Sequence, residues 1–422
     1  MKIKEYKNEL LGESVFCADH PSGLRILVMP KGGYDSAYAL FAVKYGSIDT
    51  FIGNEDGTYT PIPEGTAHFL EHKLFESEEL DAFELFARTG AYSNAYTSFE
   101  QTAYLFKGST NIDKSLEYLL DFVQSPYFTA ETVQKEQGII GQEIRMYQDD
   151  PGWVVMLNLL KCLYEKNPVR VDIAGTQESI SHIDDKLLYK LYDTYYNPSN
   201  MVLCITGKAN PDEIFAQVEK SIKREKKNVP QRKFDPEVPE AYQKYIEKKL
   251  PVGKKQFYLG FKEYMTKPQL TLEEEIASEI LSEVLMGKSG HFFKRLLDEG
   301  LIEMDFFGMP FNGFGFSSFI ACGTSDNPER VAQLVKEEIA RLKREGIPEV
   351  DIERARRKIY GRFIMDYNDI GSVSNCLMNM YFAGYEPFEE LSAIRNVTKE
   401  LVTQRLEKLT EEGSALSVVS PL

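Results

Sequence analysis

The sequence predicts an α+β protein of two homologous domains, each a mainly antiparallel sheet with helices packed on one side. Three observations predict it. The chain has 422 residues, more than a single hydrophobic core ordinarily organises. From Arg224 it runs R-E-K-K-N-V-P-Q-R-K-F-D-P-E-V-P-E-A-Y, dense in charge and proline and without apolar periodicity, which is linker composition. Beyond that stretch the order of strands and helices begins again.

In the first half, L-R-I-L-V-M-P and A-Y-A-L-F-A-V-K-Y have the β-branched and aromatic content of strands, and the turn-rich K-G-G-Y-D-S between them suits an antiparallel hairpin. A helix begins at Thr66. Strands are expected around Ser93–Phe99 and Thr102–Lys107, helices at about 111–124 and 129–148 with more helix beyond Trp153, and a strand at Met201–Thr206 after the turn N-P-S-N. In the second half the expectation is a strand at Gln256–Phe261, a helix near 271–286, strands near 305–322 and helices near 327–345 and 350–366.

Residues echo the restart. F-K-G-S-T-N-I-D-K-S at 106–115 resembles A-C-G-T-S-D-N-P-E-R at 321–330, and F-T-A-E-T-V-Q-K-E at 128–136 matches I-P-E-V-D-I-E-R-A at 347–355 loosely, setting Glu143 opposite Arg362. A period of about 200 residues means duplication and not a solenoid. The domains are therefore drawn at 1–223 and 246–422, with 224–245 as linker.

Composition narrows the function. Hydrophobic residues make up 43% and charged residues 27%, and no apolar run approaches the ~18 residues a spanning helix needs, so no membrane association is expected. The first residues mix charge signs without an apolar secretory segment. The five cysteines are scattered and lack C-x-x-C spacing, which argues against a disulfide framework and a thiolate metal site; reduced core cysteines point to the cytoplasm. A net charge of −16 repels phosphate backbones, so no nucleic acid is expected as a partner.

Within T-A-H-F-L-E-H-K-L-F, from Thr66 to Phe75, three polar groups interrupt an apolar helix. At 100° per residue His72 lies one turn beyond His68 and about 40° around, with Glu71 on the neighbouring part of that face. Imidazoles at i and i+4 grip zinc, and a carboxylate beside them can take a proton from an activated water. The plainer alternative is two histidines and a surface carboxylate on a solvated helix face. A catalytic zinc usually has three protein ligands, and the helix at 129–148 offers a further one: in K-E-Q-G-I-I-G-Q-E-I-R-M, Glu136 and Glu143 share a side with Ile139, Ile140 and Ile144. A solvated acidic edge is the plain reading of those glutamates taken alone.

With these motifs, the chain resembles the pitrilysin-like, or M16, family of zinc metallopeptidases along nearly its whole length. The resemblance rests on G-T-A-H-F-L-E-H-K-L-F at 65–75, N-A-Y-T-S at 94–98, E-Q-G-I-I-G-Q-E-I at 136–144, V-D-I-A-G-T-Q-E-S-I at 171–180 and Y-Y-N-P-S-N-M-V-L at 195–203. It implies that His68, His72 and Glu143 bind one Zn2+ per chain, that Glu71 is the general base, and that Glu136 is a supporting catalytic carboxylate that holds the ligands in place. It further implies that Asn94 and Ala95 belong to an edge strand that pairs with substrate backbone, giving a zinc endopeptidase for short or unfolded peptides.

The second half departs from the family pattern. Relatives carry an arginine and a tyrosine in a segment resembling S-R-L-F…L-R-E…G-L-A-Y, whereas this chain has G-H-F-F-K-R-L-L-D-E-G-L-I-E-M at 290–304, with Gly290–His291 in place of the serine–arginine step and Glu303 in place of the tyrosine. The resemblance also implies a chamber of four such domains, so a homologous partner chain is expected, a heterodimer ahead of a homodimer. The competing expectations are a non-catalytic structural subunit of the same fold and a peptidase dedicated to one precursor.

Overall fold

The computed structural model describes residues 1–54, 56–78 and 81–422. Its strands are β1 (Ile3–Asn8), β2 (Glu13–Asp19), β3 (Arg25–Pro30), β4 (Ala37–Val43), β5 (Phe51–Gly53), β6 (Tyr59–Pro61), β7 (Tyr92–Thr97), β8 (Thr102–Gly108), β9 (Met201–Gly207), β10 (Tyr245–Lys249), β11 (Gln256–Lys262), β12 (Phe307–Gly313), β13 (Phe316–Thr324) and β14 (Ser414–Ser420). Seven form one sheet in the order β1-β2-β3-β9-β4-β8-β7 and five another in the order β10-β14-β11-β13-β12, while β5 and β6 make a small ribbon. Both sheets are mainly antiparallel, each with one parallel pair, β3 with β9 and β10 with β14.

The hairpin expected between β3 and β4 does not form. β9 lies between them, parallel to β3 and antiparallel to β4. M-V-L-C-I-T-G is buried at every position, and a strand apolar on both faces belongs at the centre of a sheet with a neighbour on each side.

The chain forms two compact units, each from three segments: 1–144, 172–233 and 364–389 in the first, and 145–171, 234–363 and 390–422 in the second. These are not the contiguous spans 1–223 and 246–422, although the junction at Lys233–Phe234 falls inside the expected linker. The reason lies in the sheets, which are covered on both faces. In the first unit Ile26, Val28, Ala39, Phe41, Tyr104, Phe106, Leu203 and Ile205 point into one large core with most of the helices. The opposite face, alternating with the first, carries Thr206, whose hydroxyl lies 2.8 Å from that of Ser374. It also carries Tyr96, whose hydroxyl donates to Asn375; Ser374 and Asn375 both sit on the helix Ile370–Ala383. In the second unit a side chain at Gly260 of β11 would collide with Leu159 and Leu163, so the helix Pro151–Leu163 crosses that sheet. Each half of the chain thus contributes one helix to the other half's sheet, and the fold class gains a helix on the second face.

The repeat seen in the residues has its counterpart here: β8 leads into the helix Ile112–Val123 as β13 leads into Pro328–Glu345.

Candidate metal centre

The motif helix spans Thr66–Leu74, with Gly65 before it in the left-handed region at φ 84°. A Cβ at Gly65 would stand 2.4 Å from the Ala174 carbonyl oxygen, and one at Gly175, also at positive φ, 2.6 Å from the Glu64 carbonyl oxygen. The loop of V-D-I-A-G-T-Q-E-S-I is therefore pressed against the start of the motif helix, and the Ser179 hydroxyl donates to Glu64 O at 2.9 Å. Phe69, Leu70, Leu74 and Phe75 bury the helix in the core of the first unit.

The second helix of the site spans Ala130–Gln148 and buries Val133, Glu136, Ile140, Gly141 and Ile144. Ile139 lies outside this buried face, 46% exposed, so the apolar side expected of it is narrower and Glu143 sits at its border. Gln137 and Gln177 tie this helix to the same bracing segment, Gln137 Nε2 to Ile183 O at 3.1 Å and Gln177 Nε2 to Gly141 O at 3.3 Å.

These two helices bring the three expected ligands together. His68 Nε2 is 3.6 Å from Glu143 Oε1, and His72 Nε2 is 3.4 Å from Glu143 Oε2. Four-coordinate zinc with bonds of about 2.0–2.1 Å sets its ligand atoms about 3.3 Å apart, so this donor set and spacing fit zinc. His72 Nδ1 is 2.9 Å from Glu136 Oε1, and Glu136 is only 6% exposed. A carboxylate there holds the proton on Nδ1 and leaves the Nε2 lone pair for a metal.

Glu71, on the same helix, turns toward β7, where the Thr97 hydroxyl donates to its Oε2 at 2.6 Å. Burial pushes the Glu71 carboxyl above the ordinary carboxylate range, and Glu143 adds to this, while His68, Thr97 and His72 pull it back. Burial by itself would lower His72, but the hydrogen bond to Glu136 and the carboxylates of Glu71 and Glu143 outweigh it and raise the imidazole above its usual value.

Among the described residues β7 is the edge of its sheet, paired with β8 alone. Asn94 and Ala95 point to opposite faces: Ala95 packs against the core of the first unit, and Asn94 is exposed. Asn94 Oδ1 accepts the Ala95 N–H at 2.9 Å, a local bond that an incoming strand using that N–H would have to displace. Thr97 went unread in the sequence. The signal was present, because a period of two from Ala95 places Thr97 on the face toward the motif helix.

An α+β unit that holds an H-x-x-E-H helix beside a distant glutamate has the pattern of the M16 peptidase family, and comparison with known proteins agrees. The family model "Insulinase (Peptidase family M16)" matches residues 59–177, and "Peptidase M16 inactive domain" matches 182–359. The chain is 39% identical over 409 residues to "Uncharacterized zinc protease YmfH" of Bacillus subtilis (strain 168), covering 94% of each. It is 26% identical over 201 residues, 46% of this chain and 38% of the other, to "Probable mitochondrial-processing peptidase subunit beta, mitochondrial" of Arabidopsis thaliana. A crystal structure of a putative M16-like peptidase from Alicyclobacillus acidocaldarius superposes with a TM-score of 0.92 at 35% identity, covering 100% of this chain and 99% of that one. The chain belongs to the M16 peptidase family.

Proposed function

We propose that the protein is a zinc-dependent endopeptidase that hydrolyses peptide bonds in short or unfolded peptides. The convergence of His68, His72 and Glu143 at zinc-ligand spacing, beside a half-buried Glu71, carries this reading. His68, His72 and Glu143 would hold one Zn2+ per chain, whose Lewis acidity, when bound, acidifies water and polarises a peptide carbonyl. Glu71 takes the proton from the attacking water on its free oxygen and returns it to the leaving amine. Glu136 acts through His72 as a positioning residue. Peptide backbone pairs along the free edge of β7 at Asn94 and Ala95, which selects extended chains over folded ones.

A homologous partner chain without the zinc residues completes the enzyme, as a heterodimer ahead of a homodimer. Glu303, in the tyrosine's place, is paired with Lys254, and the Arabidopsis relative is named as a subunit. Among the described residues no helix is long and apolar enough to cross a membrane, and the five cysteines form no disulfide, four of them being buried; we place the protein in the cytoplasm.

Zinc content and peptide hydrolysis, measured for the chain alone and with any co-purifying homologue, test the reading. Glu71→Gln keeps zinc and abolishes turnover, whereas His68→Ala loses both. Hydrolysis by pure Glu71→Gln protein would overturn the role of Glu71, and a wild-type chain that takes up no zinc would favour a structural subunit. Cleavage of a single precursor among many peptides would favour a dedicated processing enzyme.

A further inference from the structure

We infer that Thr97 is a positioning residue for Glu71: its hydroxyl pins one carboxylate oxygen and thereby fixes which oxygen is left to exchange a proton. This rests on the proposed peptidase reading. Thr97 closes β7 and pairs in register with Thr102 of β8, and its Oγ1 lies 2.6 Å from Glu71 Oε2 and 3.2 Å from Thr102 Oγ1. The direction of these bonds follows from counting hydrogens. Thr102 is fully buried and donates its one hydroxyl proton to the Tyr45 carbonyl at 2.9 Å. The Thr97 proton then has two acceptors, a neutral hydroxyl at the longer distance and a carboxylate at the length of a charge-assisted O–H···O⁻ bond, and the carboxylate wins.

Glu71 Oε2 is thus engaged by a donor that the sheet itself holds. Thr97 is β-branched and stiff at χ1, and β8 fixes its backbone. Oε1 is the oxygen free to accept a proton from water and pass it to the amine nitrogen. The Thr97 bond to Oε2 persists whether or not Oε1 carries a proton, so the carboxyl keeps its orientation through both transfers. A glutamate without this anchor samples several rotamers about its side-chain torsions and reaches the productive one only part of the time.

The test separates a hydroxyl role from a packing role by the order of two variants. Thr97→Val keeps the branched shape and loses the hydroxyl; Thr97→Ser keeps the hydroxyl and loses the branch. Positioning predicts that kcat falls on the order of ten- to a hundredfold in Thr97→Val and by roughly threefold or less in Thr97→Ser, with KM and bound zinc unchanged in both. Packing alone predicts the reverse order, and that result would overturn the inference. A second readout needs neither metal nor activity: in crystals of the metal-free variants, Glu71 should keep one conformer in Thr97→Ser and lose it in Thr97→Val. A single unmoved Glu71 conformer in Thr97→Val would also overturn it. Absence of zinc uptake or hydrolysis in the wild type would instead count against the peptidase reading, leaving the crystallographic arm to decide on Thr97.

Discussion

Replacing Glu136 with leucine should weaken zinc binding by about ten- to a hundredfold without unfolding the protein. The bond at stake is the 2.9 Å contact from Glu136 Oε1 to His72 Nδ1, made by a carboxylate only 6% exposed. Losing the acceptor leaves a partly buried N–H without its partner, a cost of up to about 1–3 kcal/mol. Carboxylate partners of metal-binding histidines are worth about 10–100-fold in affinity, or about 1.4–2.7 kcal/mol. The two estimates describe one interaction and are not added. Glu136→Gln retains an oxygen acceptor but not its charge, and charge-assisted bonds are about twice as strong as neutral ones, so it should lose roughly three- to tenfold. Competition with a chromophoric chelator near neutral pH measures both affinities, and thermal unfolding reports whether the fold survives. A folded Glu136→Leu protein that binds zinc within about twofold of wild type would refute the claim that Glu136 holds the ligand.

Three further outcomes are expected. Gly65→Ala places a Cβ 2.4 Å from Ala174 O at a φ of 84°, so unfolding in urea should show a loss of at least about 2 kcal/mol. Because Gly175 faces the same contact, the double variant with Gly175→Ala should lose less than the sum of the two. In metal-free protein, His72 has a pKa raised above its unfolded value of about 6.5. Its stabilising contribution is complete below that pH and fades as pH rises through the folded value. The melting-temperature gap between wild type and His72→Gln in chelator should therefore shrink from mildly acidic to alkaline pH; a gap that widens would contradict the assigned partners.

Each half of the site was legible for a local reason. His68, Glu71 and His72 fall within one and a half helical turns, so helix periodicity alone brings them to one face. Glu136 and Glu143 repeat the trick on a second helix, and the family resemblance joined the two. The rest depended on contacts across the chain. The local signal in β1, β2 and β14 is weak: β1 is charged and largely exposed, and β14, S-A-L-S-V-V-S, is short and mixes serines with its apolar residues. Each is fixed by its neighbour's hydrogen bonds. The bracing of Gly65 by Gly175 is likewise invisible in either segment taken singly.

The sequence by itself determined the α+β class, the duplication and the zinc-type donors, because residue type, helical period and composition are properties of contiguous chain. Only the tertiary structure decided that β9 separates β3 from β4 and that each half of the chain lends a helix to the other half's sheet. It alone put Glu136 on His72 and Thr97 on Glu71. Those contacts join residues tens to hundreds of positions apart, and pairings at such separation are selected by burial and hydrogen-bond satisfaction over whole sheets, which no window of the sequence contains.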